Sequence, residues 1–466
     1  MSNSIAAASC RILTILALSM LLLRFWELDA SPPGFAFDEV ISAGTVSCFA
    51  QTRESLFGER YPIFFDAKVG SPLSPVFVYL GTMWAWTFGT SISSFRGFAA
   101  FFGVLACIGA AAAAYYFRGR VASTMALAVA ALSPWSFQFS RIAWDAALAP
   151  AFVVFGVVCA IQGGVRWNIA AGFLLSVSAY VYPPLRVHAV LIILGLLVFL
   201  ATRKDGRGLG ALLASTTLTS LPLAWLLAFG NLMSRYNEIG IFTERYRQAA
   251  APHTHWYDYL GTFGGNYLKH FSFRYLFVSG DGNIVHSTQH FGELGWLDIL
   301  ALAGGVALLA SFLWRRIRHK NETIKPARRL WILVWCAATG IVPAALTWES
   351  LPHALRTVAV WPFWAAIAGC LLAAFVKEHK WAAPLVLAVA LAFSTVFAVE
   401  YFGHYPAESR ASFFGVYKDL AVQAGRTGDW SAYFRAAATL PPAGMFYYPI
   451  EYGGMRCADL RNSLPK

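Results

Sequence analysis

Charge is what this chain has least of. Charged residues make up 13% of its 466 positions, about half of the ~25% usual for a soluble globular domain. Hydrophobic residues reach 58% and aromatic residues 16%. That balance excludes an ordinary soluble domain. Acidic residues are the rarer sign, 24 against 36 basic, for a formal net charge of +12. The Lys and Arg sit in short clusters between apolar blocks and form no continuous basic face, so nucleic-acid binding is not indicated. Internal repeats and low-complexity tracts are absent. Inside the apolar blocks there is essentially no Asp, Glu, Lys or Arg away from the ends. Transporters and pumps place ionisable groups near the midplane of the bilayer; this sequence does not.

Cysteine pairs at metal-ligand spacing are also missing. Of seven cysteines, none forms a CxxC or Cys/His pattern that would hold zinc. Cys107, Cys159, Cys336 and Cys370 lie inside apolar blocks as ordinary core residues, whereas Cys48 and Cys457 lie outside them. The "AAASC" at Ala6–Cys10 precedes the first apolar run, which is the wrong side for lipoprotein processing. With Arg11 before it, Ile12–Leu23 reads as a signal anchor.

What the chain does have is apolar blocks of roughly 17–23 residues, long enough to cross a bilayer as helices. They fall near 11–29, 97–117, 121–138, 147–164, 167–182, 185–202, 209–229, 296–314, 329–347, 357–376 and 381–400. The expectation is an all-α polytopic membrane protein of about eleven transmembrane helices. The basic clusters Arg118–Arg120, Arg203–Arg207, Arg315–Lys320 and Lys377–Lys380 face the cytoplasm if the positive-inside rule holds, and all eleven spans then alternate correctly. The apolar stretch 71–89 would break the alternation. With Pro72, Pro75 and its Trp and Tyr residues, it reads as an interfacial or re-entrant helix on the outer face. The expected division is a transmembrane module over 1–400 and a short soluble tail over 401–466. The module carries a first outer loop, 30–96, with juxtamembrane helices, and a large outer loop, 231–295.

The outer face gathers the residues able to do chemistry. "GFAFDEVISAG" sets Asp38 beside Glu39 just beyond the first span. One reading is that Asp38 caps a helix and Glu39 sits in its first turn. Other outer positions supply cations: Arg96, Arg141 with Asp145 four residues on, Arg186 after a Pro-Pro turn, and His353 three before Arg356. Each alone suits a structural role, because Arg snorkels at interfaces. Together they describe carboxylates facing cations at the membrane surface, where a lipid phosphate would be held. "GDGN" at Gly280–Asn283 reads first as a polar turn.

The blocks "FAFDEVISAG", "PIFFDAKVGSPLSPVFVYL", "GTSISSFRGFAAFFG" and "LSPWSFQFSRIAWD" resemble the N-terminal module of the C-type membrane glycosyltransferases, in the branch of protein O-mannosyltransferases and lipid A aminoarabinose transferases. "FVSGDGNIVHSTQHFGELG" and "LPHALRTVAVWPFWAA" resemble later blocks of the same proteins. The resemblance covers most of 30–150 and is patchy beyond. It implies an integral-membrane enzyme of the inner (plasma) membrane, taking a sugar from a polyprenyl-phosphate donor on the periplasmic face. The family's first-loop acidic residue falls on Asp38, followed by Glu39; its second acidic position falls on Asp145, and its juxtamembrane arginine on Arg96. Two departures stand out: no large soluble domain follows the spans, and the first loop lacks a DxD triplet, which argues against a tightly bound metal.

These readings give a set of expectations. Asp38, Glu39 and Asp145 are catalytic. Arg96, Arg141, Arg186, His353 and Arg356 bind the lipid phosphate, and Asp281 and His286 are assigned to sugar or acceptor binding. The partners are a lipid-linked sugar donor and a protein, lipid or glycan acceptor. A divalent ion (Mg, Mn or Zn) is allowed for but not demanded. The alternatives are a transporter or flippase of lipid-linked envelope intermediates and a non-catalytic envelope scaffold.

Overall fold

The computed structural model describes residues 2–66, 72–230, 232–249, 255–318, 330–438 and 440–462. Ser71, Asn231, His319, Lys320, the first residue of the 329–347 block and the last four residues of the tail lie outside the described residues.

The regular structure of the described residues is all helix, joined by turns and irregular loops, with isolated bridges such as Phe65 with Leu73. Among the described residues, eight helices are long and apolar enough to cross a membrane. One of them, α4 (Ile92–Leu132), is two spans in one element, counting α1 (Ser2–Leu23), α2 (Phe37–Thr52) and α3 (Pro75–Phe88) before it. Gly119 breaks α4 with φ 72° and ψ −161°, a conformation that glycine tolerates and side chains resist. The chain reverses there. Cys107 Sγ and Ser136 Oγ lie 3.6 Å apart, whereas an unbroken helix would separate them by about 43 Å. Arg118 and Arg120 thus sit at a hairpin tip. With the shorter apolar helices Val165–Val181 and Trp331–Ala345, all eleven sequence blocks are accounted for. Large apolar side chains such as Leu22, Leu218, Trp225 and Phe229 stay exposed on the spans, as lipid-facing surfaces require.

The 71–89 stretch forms only the 14-residue α3. At about 21 Å it is too short for a ~30 Å hydrocarbon core. It packs instead against α2 and the first arm of α4.

Three buried arginines brace the strand-free segment between α1 and α2. Arg24 donates to the Ser136 carbonyl (2.7 Å) and to the carbonyls of Ala130 and Ala131. Arg141 donates to the carbonyls of Arg24 (2.9 Å) and Ser31 (2.7 Å). Arg96 donates to those of Leu28 (2.7 Å) and Pro32 (2.5 Å). Carbonyls past a helix end have no partner within the helix, and here guanidinium forks supply one. The tail helix Pro442–Gly453 packs along α2, and a Cys48–Cys457 disulfide ties α2 to the start of the following helix, Cys457–Asn462.

Candidate functional site

The first turn of α2 separates Asp38 from Glu39. Ala36 is the N-cap, and the Glu39 side chain reaches back to its amide, Oε2 accepting at 2.9 Å. Capping therefore falls to Glu39, where the sequence had suggested Asp38. Glu39 is fully buried, and Arg96 grips it with two bonds, Nε to Oε1 at 3.0 Å and Nη2 to Oε2 at 2.9 Å. Glu39 Oε1 also accepts the Ala143 amide at 2.7 Å, tying the start of α2 to the segment after the helix Pro134–Phe139, two residues before Asp145. A buried carboxylate is tolerable only with such partners.

Asp38 points the other way, into a cavity of about 780 Å³. It is solvent-accessible through this cavity although protein surrounds it on most sides. Asp145, Arg186, His286, His353 and Arg356 line the same space, so six of the ten residues singled out in the sequence converge. Arg235 and Tyr182 join them. Arg186 donates from Nη1 to the Leu232 carbonyl (2.7 Å) while its Nε is buried without a partner. Arg356 donates from Nη1 to Thr347 Oγ1 (2.7 Å) and the Glu349 carbonyl (2.8 Å). Burial lifts the Asp38 carboxyl above the ordinary range; His286 and Arg235 pull it back down, and Glu39 adds to the rise.

The other four residues are placed elsewhere. Arg96 and Glu39 spend their charges on each other behind the cavity wall. Arg141 and Asp145, four apart, do not share a helical face. The helix Pro134–Phe139 ends before them, Trp144 is extended, and a 3-10 turn begins at Asp145. Arg141 therefore turns inward to backbone carbonyls, and Asp145 outward to the cavity. Asp281 stands behind His286, accepting from its Nδ1 at 2.8 Å and from the Ala354 amide at 2.8 Å. This bond orients the His286 ring, with Nδ1 toward the carboxylate.

His270 was not singled out in the sequence. Its Nε2 accepts the His353 amide at 3.1 Å and its Nδ1 faces the Asn266 carbonyl at 3.0 Å. Burial lowers its pKa to about 4, so it is neutral. Burial, then Arg356 and the neighbouring histidines, push His353 well below the usual range, and its Nδ1 is buried without a hydrogen-bond partner. Asp281, His286 and His353 bring their ligand atoms within 4.8 Å of one another. Arg235 was also missed; its only signal was a basic residue in an aromatic-rich outer loop.

No protein-family model and no curated protein sequence matches the chain. Solved structures do. One is ArnT from Cupriavidus metallidurans bound to undecaprenyl phosphate, 13% identical, with a TM-score of 0.50 over 96% of this chain and 76% of that one. Another is the Archaeoglobus fulgidus oligosaccharyltransferase in complex with Zn and sulfate, 15% identical, with a TM-score of 0.53 over 93% of this chain. This chain spans 57% of that larger protein. The likeness at such identity is one of fold: the chain has the fold of these two proteins.

Proposed function

We propose that this protein moves a sugar from a polyprenyl-phosphate donor to an acceptor hydroxyl at the outer face of the plasma membrane, with inversion. The observation that carries the reading is the meeting of two carboxylates, Asp38 and Asp145, with three arginines, Arg186, Arg235 and Arg356, in one cavity. Phosphate and developing negative charge suit guanidinium groups. An acceptor hydroxyl needs a carboxylate base opposite the departing phosphate. In the step proposed, the acceptor oxygen bonds to the anomeric carbon as its proton passes to Asp38. The bond from that carbon to the phosphate oxygen breaks, and the lipid phosphate leaves among the arginines. Asp145 is the second carboxylate, orienting the acceptor or sharing its proton. Glu39 and Arg96 act through position, by holding the first turn of α2. The fold neighbour crystallised with undecaprenyl phosphate supports a lipid phosphate as the donor's carrier.

Two features support the outer face. The basic clusters Arg118–Arg120, Arg203–Arg207 and Lys377–Lys380 lie at the opposite ends of the spans, and the Cys48–Cys457 disulfide joins two segments on the cavity side, as an oxidising compartment allows. A divalent ion fits Asp281, His286 and His353, since the unpartnered nitrogen of a neutral His353 is a ready ligand. When bound, such an ion supplies positive charge beside the leaving phosphate.

The test is release of polyprenyl phosphate from a panel of polyprenyl-phosphate sugars. Purified protein in nanodiscs is compared with Asp38→Asn, using an envelope extract as acceptor, with and without a chelator. Turnover of one donor by wild type alone is the expected result. Equal turnover by Asp38→Asn removes Asp38 as the base, and silence across the panel removes the reaction.

A further inference from the structure

The span Ala382–Val399 continues through a π-helical turn, Glu400–His404, into the short helix Tyr405–Ser409. Its 28 residues reach about 42 Å, beyond a ~30 Å hydrocarbon core, so the last two turns stand in the aqueous layer. Glu400, His404 and Glu408 recur every fourth residue and so share one face of this extension. Facing them is His290, four residues past His286 in the outer loop.

The distances between the donor atoms match a coordination shell. His290 Nε2 lies 3.0 Å from Glu408 Oε2 and 3.6 Å from Glu400 Oε1, and the three atoms all fall within 4.8 Å of one another. A tetrahedral ion with ligand bonds near 2.05 Å spaces its ligands about 3.3 Å apart. His404 Nδ1 holds the other carboxylate oxygen, Glu400 Oε2, at 2.9 Å. That leaves Glu400 Oε1 buried, with no hydrogen-bond partner. An outer histidine that fixes a ligating carboxylate, beside an unpartnered inner oxygen, is the arrangement of a metal ligand and its support.

We propose that His290, Glu400 and Glu408 bind a divalent ion of the zinc class, with His404 orienting Glu400 and one position open to water. Imidazole beside carboxylates favours zinc over calcium or magnesium. The ion would clasp the outer loop, near the cavity histidine His286, to the extension of the last span. This site is separate from the cavity and does not depend on the reaction proposed above.

The full chain in nanodiscs, stripped with chelator, is titrated with Zn²⁺ by calorimetry. Wild type is compared with His290→Ala, Glu400→Gln, His404→Ala and, for the cavity cluster, His353→Ala. His290→Ala and Glu400→Gln each lose one zinc equivalent that His353→Ala retains, and His404→Ala weakens that site by about 10–100-fold. Unfolding midpoints in chelator control for folding of the variants. If a variant fails to fold, zinc-edge anomalous scattering from wild-type crystals decides, with a peak expected among the three side chains. No zinc uptake, uptake unchanged by His290→Ala, or no peak at His290 overturns the site and leaves only histidine–glutamate ion pairs.

Discussion

Two adjacent carboxylates with unlike surroundings meet at positions 38 and 39. Glu39 is buried with Arg96 and accepts two backbone amides. Removing its charge strands the Arg96 guanidinium in a dry site, so Glu39→Gln should destabilise the fold by about 3–5 kcal/mol. A lowered thermal midpoint in nanodiscs, with no compensating gain in folding yield, checks this. Asp38 has the cavity in front of it. Asp38→Asn should abolish transfer while leaving the midpoint within a degree or two of wild type. The pH profile tests the electrostatics. The working form of Asp38 is the carboxylate, and burial raises its pKa. The acid limb of kcat/KM should therefore lie above the ~3.9 of a free aspartate. Arg235 stabilises the charged form, so Arg235→Ala should move that limb to still higher pH; movement downward would contradict the assignment.

At the scale of the element, the close helix contacts depend on small residues. The helix Trp361–Glu378 lies along α4 so closely that a Cβ on Gly369 would stand 2.5 Å from the Ala126 backbone nitrogen. Backbone cannot yield as a flexible side chain does, so Gly369→Ala should cost about 1–3 kcal/mol. The same change at Gly210, where a Cβ meets nothing within 4 Å, should cost little, and paired thermal midpoints compare them. The reversal at Gly119 fits the sequence reading, in which the basic pair Arg118 and Arg120 separates the apolar blocks 97–117 and 121–138. The break between Arg141 and Asp145 is less visible. Four-residue spacing suggests one helical face, yet Ser133–Pro134 starts a helix that stops at Phe139. Just beyond it Glu39 takes the Ala143 amide, a long-range contact that no local signal carries.

At the scale of the whole molecule, the Cys48–Cys457 bond closes the chain on itself across 409 residues and fastens the tail to the helix that carries Asp38. Removing a native disulfide typically costs about 2–5 kcal/mol, so Cys48→Ala should lower the thermal midpoint and raise protease sensitivity of the tail. In cells, the bond should form only where the outer-face assignment places it. Maleimide labelling of Cys48 and Cys457 should need prior reduction in normal cells and proceed directly in cells lacking envelope thiol oxidation.

The sequence by itself determined the bilayer as solvent and the eleven apolar blocks, and it pointed to a gathering of charge beyond one set of span ends, while the 14-residue helix within 71–89 came from the structure. The first three follow from length, hydropathy and basic clusters, which are local or additive along the chain. It also marked Asp38, Asp145, Arg186, His286, His353 and Arg356, because charge beyond the ends of apolar spans is conspicuous where charge is rare. Only the tertiary structure decided how the marked residues divide. Asp38 and Asp145 face a cavity, while Glu39, Arg96 and Arg141 are spent on each other and on backbone carbonyls. Arg235 and His270 take places that no motif announced. The physical reason is that a charge near a membrane surface has two ways to be stable: water or a ligand on one side, and a buried partner on the other. Composition and spacing allow both, and the choice depends on groups distant in sequence: Arg96 is 57 positions along the chain from Glu39, and Ala143 is 104.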